Sequence, residues 1–149
     1  MLKSSARRTL VAASAFVGLG ASLVFADAVD DRQATMKAIG KAIGALAAIA
    51  KGEAPFDAAV VKENASTIAA KLEAYKDMFP EGSQKGGKET WAKPEAWTDR
   101  AGFEAARRKA HDAAVALAAV SNESQFGSAL GALGDGCKGC HEKYRRPKD

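Results

Sequence analysis

Apolar residues recur at alternating spacings of three and four in four separate stretches of this chain, and nowhere is the every-second-residue alternation of a strand sustained. That rhythm keeps one face of a helix apolar turn after turn, so it restricts the fold to helices packed along a shared seam. The first stretch runs from about Ala28 to Lys51, with Val29, Met36, Ile39, Ile43, Leu46 and Ala50 on one face, and Gly52 is placed to end it. The second begins at Asp57, a natural N-cap after Pro55, and carries Val61, Ala65, Ile68, Leu72, Tyr75 and Phe79 up to Pro80. After a loop rich in Gly, Lys and Ser, the third starts near Thr98 or Asp99 and aligns Phe103, Ala106, Ala110, Ala113, Leu117 and Val120. The fourth starts near Asn122, with Gln125 as a capping-box partner, and its seam reads Phe126, Leu130, Leu133, Cys137, Cys140 and Tyr144. Two short links and one longer loop make an all-α, antiparallel, up-down-up-down four-helix bundle the economical arrangement.

The fourth seam contains Cys137-Lys138-Gly139-Cys140-His141, a CxxCH. Two thiols three residues apart lie on one helical turn, near enough to bond the two vinyl-derived carbons on one side of a porphyrin. The histidine that follows can place its ring over the iron. The motif therefore predicts one covalently attached haem c, with Cys137 and Cys140 as tethers and His141 as an axial iron ligand. CxxC also serves thioredoxin-like redox pairs and half of many zinc sites. The first needs a βαβ setting that this chain lacks. The second wants a further ligand, and the sole other histidine, His111, lies off its helix's seam beside Lys109 and Asp112, where a solvated surface role is expected. Many seam positions are Ala or Gly, which leaves volume for a flat cofactor inside the bundle.

The amino terminus supports the same chemistry. Lys3, Arg7 and Arg8 precede an apolar stretch from Leu10 to Phe25, and Val24-Phe25-Ala26 suits a signal peptidase. We read residues 1–26 as a cleaved export signal and 27–149 as one domain, placed in the periplasm, where c-type haem is joined to exported apoprotein. Arg7-Arg8 fits a twin-arginine signal poorly, and the stretch is short and rich in small residues for a membrane span. Removing the segment takes three cations from a formal charge of +4, so the basic balance gives no warrant for nucleic-acid binding. Cys137 and Cys140 are the only cysteines, and thioether bonds would spare them oxidation in that compartment.

Helix one carries two residues that its seam does not explain. Arg32 puts a charge where a core residue belongs. It either reaches the bundle's open end, or pairs with Asp30 or Asp31, or meets a haem propionate together with Gln33. Met36, one turn on, either fills the core or faces the haem opposite His141, where its thioether would bind iron or block the sixth position. Trp91, Trp97 and Tyr144 are candidates for the haem edge, with ordinary packing as the default. Ala42, Gly44 and Ala45, on the outer side of helix one, would admit a homodimer contact.

The segments Arg32-Gln33-Ala34-Thr35-Met36, Lys51-Gly52-Glu53-Ala54-Pro55-Phe56-Asp57, Ala92-Lys93-Pro94-Glu95-Ala96-Trp97 and Cys137 to His141 with Tyr144-Arg145 together resemble a class II c-type cytochrome, the group of cytochrome c-prime and its low-spin relatives. The resemblance covers residues 27–149. It implies a bundle with the haem near the carboxyl end, His141 proximal, Arg32 and Gln33 near the propionates, Met36 on the distal side, and Glu89 or Thr90 approaching the haem from the loop. It also implies two functions. A ligating Met36 gives a six-coordinate carrier of single electrons between periplasmic redox proteins. A non-ligating Met36 gives a five-coordinate protein that binds nitric oxide or carbon monoxide. Neither is an enzyme in the ordinary sense.

Overall fold

The computed structural model describes residues 20–85 and 89–147, with side chains from Ala28 onward. Five helices follow in order: α1 (Gly20–Ala50), α2 (Ala58–Tyr75), the single turn α3 (Glu95–Thr98), α4 (Arg100–Ala118) and α5 (Glu123–Tyr144). The four long ones form the antiparallel bundle. Residues 1–19 of the expected export signal lie outside the described residues, and the α1 backbone passes through its expected end at Ala26.

Local chemistry sets the helix ends. Gly52, at φ 73°, closes α1 by donating to Ile49 O at 3.0 Å while Glu53 donates to Ala48 O at 2.9 Å, so two orphan carbonyls are satisfied by a left-handed residue. The Asp57 carboxylate accepts from Ala59 N at 2.7 Å and starts α2. Asp99 accepts from Gly102 N at 3.1 Å and starts α4. Asn122 caps α5 through Gln125 N at 3.2 Å. Gln125 does not complete the reciprocal box, because its Oε1 accepts from the Asn122 side-chain amide rather than from the backbone.

Three seams depart from the sequence pattern. α2 stops at Tyr75, four residues short of Phe79. Pro80 disfavours helical backbone at the residue before it, and Met78 O is taken by Arg32 instead of by a helix amide. On α1 the buried apolar residues are Ala28, Val29, Ile39, Ala42, Leu46 and Ile49; Ala50 is exposed, and Ala42, assigned to the outer face, belongs to the core. On α4 the inward line runs Phe103, Arg107, Ala110, Ala114, Leu117, so Ala106 and Ala113 flank the seam and do not form it.

The helices α1 with α2, α2 with α4 and α4 with α5 pack along their lengths, whereas α1 and α5 barely touch. Close approach of α4 and α5 needs Gly136, where a Cβ would stand 2.9 Å from Ala110 Cα. One core cluster is mainly aliphatic, with Phe126 its one buried ring, and includes the fully buried Leu46, Ile68, Leu117 and Leu133. A second is aromatic and gathers Phe79, Phe103 and Tyr144, with Phe79 and Phe103 ring centroids 4.6 Å apart. The unclosed α1/α5 side lies beside the junction of these two clusters. No helix among the described residues is long and apolar enough to cross a membrane.

Candidate haem site

A cavity of about 680 Å³ occupies that junction. α5 contributes Cys137, Cys140 and His141 to its wall, and α1 contributes Arg32, Gln33 and Met36. The last turns of α5 therefore face the Arg32 to Met36 turns of α1 across the gap that the bundle leaves open.

The α5 groups are in the protonation states that haem binding asks of them. Both thiols are half-buried and unbonded to one another. Burial pushes the Cys137 thiol up, and burial with the neighbouring Cys137 pushes Cys140 to about 11, so both are neutral thiols at pH 7. Burial, then the Arg145 cation, holds His141 below the usual imidazole value, which leaves a lone pair free for a metal.

Arg32 is 3% exposed, so it does not reach the bundle's open end. Its Nη1 donates to Met78 O at 2.7 Å and to Ser83 Oγ at 3.1 Å, and its Nη2 donates to Ser83 O at 2.7 Å. The guanidinium also lies over the Phe79 ring, 5.0 Å from its centroid, and over Trp97 at 5.2 Å. The fork of the arginine is thus spent on the loop after α2. Its Nε is a buried donor atom with no hydrogen-bond partner. An orphaned donor of this kind costs about 1–3 kcal/mol unless something in the cavity accepts from it.

The loop before α3 closes the cavity's rim. Gln33 Nε2 donates to Glu89 O at 2.8 Å, and Arg146 Nη2 donates to Glu89 Oε1 at 2.8 Å and to Thr90 O. An antiparallel bridge between Ala92 and Arg145 continues the tie, with Lys93 N donating to Tyr144 O at 2.9 Å. Thr90 and the half-exposed Trp91 stand on the cavity wall, while the Glu89 carboxylate turns outward to Arg146. Tyr144 also lines the cavity, and its hydroxyl donates to Asp99 Oδ2 at 2.8 Å. Trp97 does not line it; its Nε1 donates to Pro80 O at 3.1 Å. His111 is away from the cavity and pairs with Asp112 at 2.9 Å.

Two cavity residues with polar side chains, Tyr75 and Arg107, are not among the site candidates read from the sequence. Tyr75 faces the space from α2, where burial raises its phenol pKa well above the ordinary value. Arg107 is 5% exposed on α4 and also lines the cavity.

A family model described as Cytochrome C' matches residues 27–145, nearly the whole described bundle. The chain belongs to the cytochrome c' family. Its relatives include a cytochrome c-556 from Agrobacterium fabrum, 40% identical over 144 residues that cover 95% of this chain and 97% of the relative. The solved cytochrome c' from Rhodopseudomonas palustris superposes with a TM-score of 0.77 at 35% identity, covering 83% of this chain and 98% of that one. A nitric oxide complex of a cytochrome c' mutant from Alcaligenes xylosoxidans superposes with a TM-score of 0.72 at 30% identity, covering 82% and 95%. As a cytochrome c', this class II c-type cytochrome carries covalently attached haem c with its iron. The cavity accords with that cofactor: two adjacent neutral thiols, an uncharged imidazole and one buried donor without an acceptor.

Proposed function

We propose that this cytochrome is a periplasmic carrier of single electrons, with Cys137 and Cys140 holding the haem, His141 as proximal ligand and Met36 as distal ligand. The haem iron supplies the one-electron couple. The protein's part is to hold that iron between two helices with little rearrangement between redox states. The observation that carries this reading is the placement of Met36: it is half-buried on the α1 wall of the same cavity whose α5 wall bears His141. A thioether and an imidazole supplied by separate packed helices suit an iron ligated from both faces. Arg32 Nε and Gln33 stand where α1 meets the loop, and we assign Arg32 Nε as a single donor to a propionate, with Gln33 and Thr90 at the haem periphery. Glu89 acts there indirectly, by holding Gln33 through its carbonyl. The match to the family begins at residue 27, next to the expected end of the export signal, which supports a periplasmic location.

A second reading has its own support, because a mutant of the related Alcaligenes xylosoxidans protein is solved as a nitric oxide complex. There Met36 would shield an open distal site that takes a diatomic gas. Optical spectra of the oxidised and reduced holoprotein, with and without carbon monoxide, separate the two. A low-spin spectrum unmoved by carbon monoxide, and converted to a high-spin, gas-sensitive one by Met36→Ala, is the expected result. A wild-type spectrum that is already high-spin and shifts with carbon monoxide replaces electron carriage through a six-coordinate iron with gas binding.

A further inference from the structure

Among the described residues two arginines are buried, and the propionate reading uses only Arg32. Arg107 occupies the middle of a chain of alternating charges. Its Nε donates to Glu104 Oε2 at 2.8 Å, and its Nη1 donates to Leu72 O at 3.0 Å and Glu73 Oε2 at 3.1 Å. Glu104 in turn accepts from Arg100 Nη2 at 3.1 Å, and Glu73 pairs with Lys76. Lys76, Glu73, Arg107, Glu104 and Arg100 therefore run from α2 to α4, and only Arg107 forms part of the cavity wall.

Stitching α2 to α4 does not by itself call for this arrangement. Removing a guanidinium from water is expensive, and apolar side chains of similar volume join helices as well or better. What an apolar residue cannot provide is a permanent positive charge in a low-dielectric wall, beside a group whose own charge changes by one unit in each turnover. Within a protein such a charge acts far more strongly than it would through water.

We propose that Arg107 sets the redox balance of the haem: its fixed charge favours the ferrous state, and Glu104 and Glu73 draw the balance back toward ferric. The step is the gain of one electron by ferric iron from a redox partner protein, with no proton or bond exchanged by Arg107. Arg107 acts through its field and ligates nothing. The inference rests on haem occupying the cavity and holds whether or not Met36 ligates.

The test is the midpoint potential of the holoprotein by spectroelectrochemical titration, for Arg107→Gln, Arg107→Lys, Glu104→Gln, Glu73→Gln and Arg100→Gln. Optical spectra taken first report the iron's coordination, so a failure of the Met36 assignment shows there and not in the potentials. Arg107→Gln is expected to lower the ferrous-to-ferric ratio at fixed ambient potential on the order of tenfold, ~59 mV for a one-electron couple. Arg107→Lys should recover most of the loss, Glu104→Gln and Glu73→Gln should shift the potential upward, and Arg100→Gln should leave it nearly unchanged. Opposite signs are the signature of charge. Shifts of the same sign for Arg107→Gln and Glu104→Gln would mean water entry into a loosened wall and would overturn the proposal. So would unchanged potentials in every variant, or an Arg100→Gln shift as large as that of Arg107→Gln. If Arg107→Gln does not fold, the partly exposed Glu104 and Glu73 carry the test: an upward shift supports the proposal, and no shift or a downward one ends it.

Discussion

At one end of the bundle Leu46, Ile68, Leu117 and Leu133 close on one another with no polar side chain among them; at the other, Phe79, Phe103 and Tyr144 share their space with two buried guanidinium groups and an open cavity. The aliphatic end is complete as a protein core. The aromatic end and its junction with the aliphatic one leave an unpaired donor, two free thiols and an unclosed interhelical side. On the proposed reading stability and function are separated along the helix axes, with the first supplied mainly by dispersion and burial and the second by polar groups that would meet the haem.

Leu117→Ala is the most severe way to probe that division. Deleting a fully buried leucine costs about 3 kcal/mol, visible as a lower denaturation midpoint. If the ends are independent, the absorption spectrum and midpoint potential of the folded variant stay put; a shifted haem spectrum would break the separation. Arg32→Leu probes the other end. It strips Met78 O and Ser83 O of their donor, at about 1–3 kcal/mol for an unsatisfied buried group, and removes the unpartnered Nε donor. Both stability and potential should move, and an unchanged redox titration would restrict Arg32 to holding the loop after α2.

The smallest effect is expected from Asp99→Asn, which keeps an N-capping side chain for α4 but removes its charge. Lys143, then Tyr144 and the Gly102 amide, hold the Asp99 carboxyl down at about 2. Because the folded value lies below the unfolded one of about 3.9, the stabilisation is complete above about pH 4 and fades as pH falls toward 2. Thermal melts across pH 2–5 should lose part of their acid slope in Asp99→Asn. An identical slope would show that the surface contact adds nothing to the aromatic end, as many exposed ion pairs do not.

The parts of this molecule that sequence reveals are those set by near neighbours. Asp57, Asp99 and Asn122 cap helices because each carboxylate or amide reaches amides two or three residues on, and CxxCH is contained within five residues. Arg107 was hidden for the opposite reason. Phe103 to Ala110 can be spanned by Ala106 or by Arg107 with equal fidelity to a three-four rhythm, and a charge within Arg107-Arg108-Lys109 reads as surface until Glu73 arrives from another helix. The same one-step ambiguity put Ala50 inside and Ala42 outside on α1. Arg32 stands out in the sequence as a charge on an apolar seam, yet Ser83, which occupies its fork, lies 51 positions away in a loop whose path no local pattern encodes.

The sparse meeting of α1 and α5 has a mechanical consequence. Three sides of the bundle are zipped by the protein alone, and on the proposed reading the fourth would be spanned by the haem, tethered to α5 and met from α1. A prosthetic group in that position is a strut as well as a reagent. On the proposed reading, with the haem tethered to α5 and ligated by Met36 of α1, loss of that ligand would loosen the brace between the two helices.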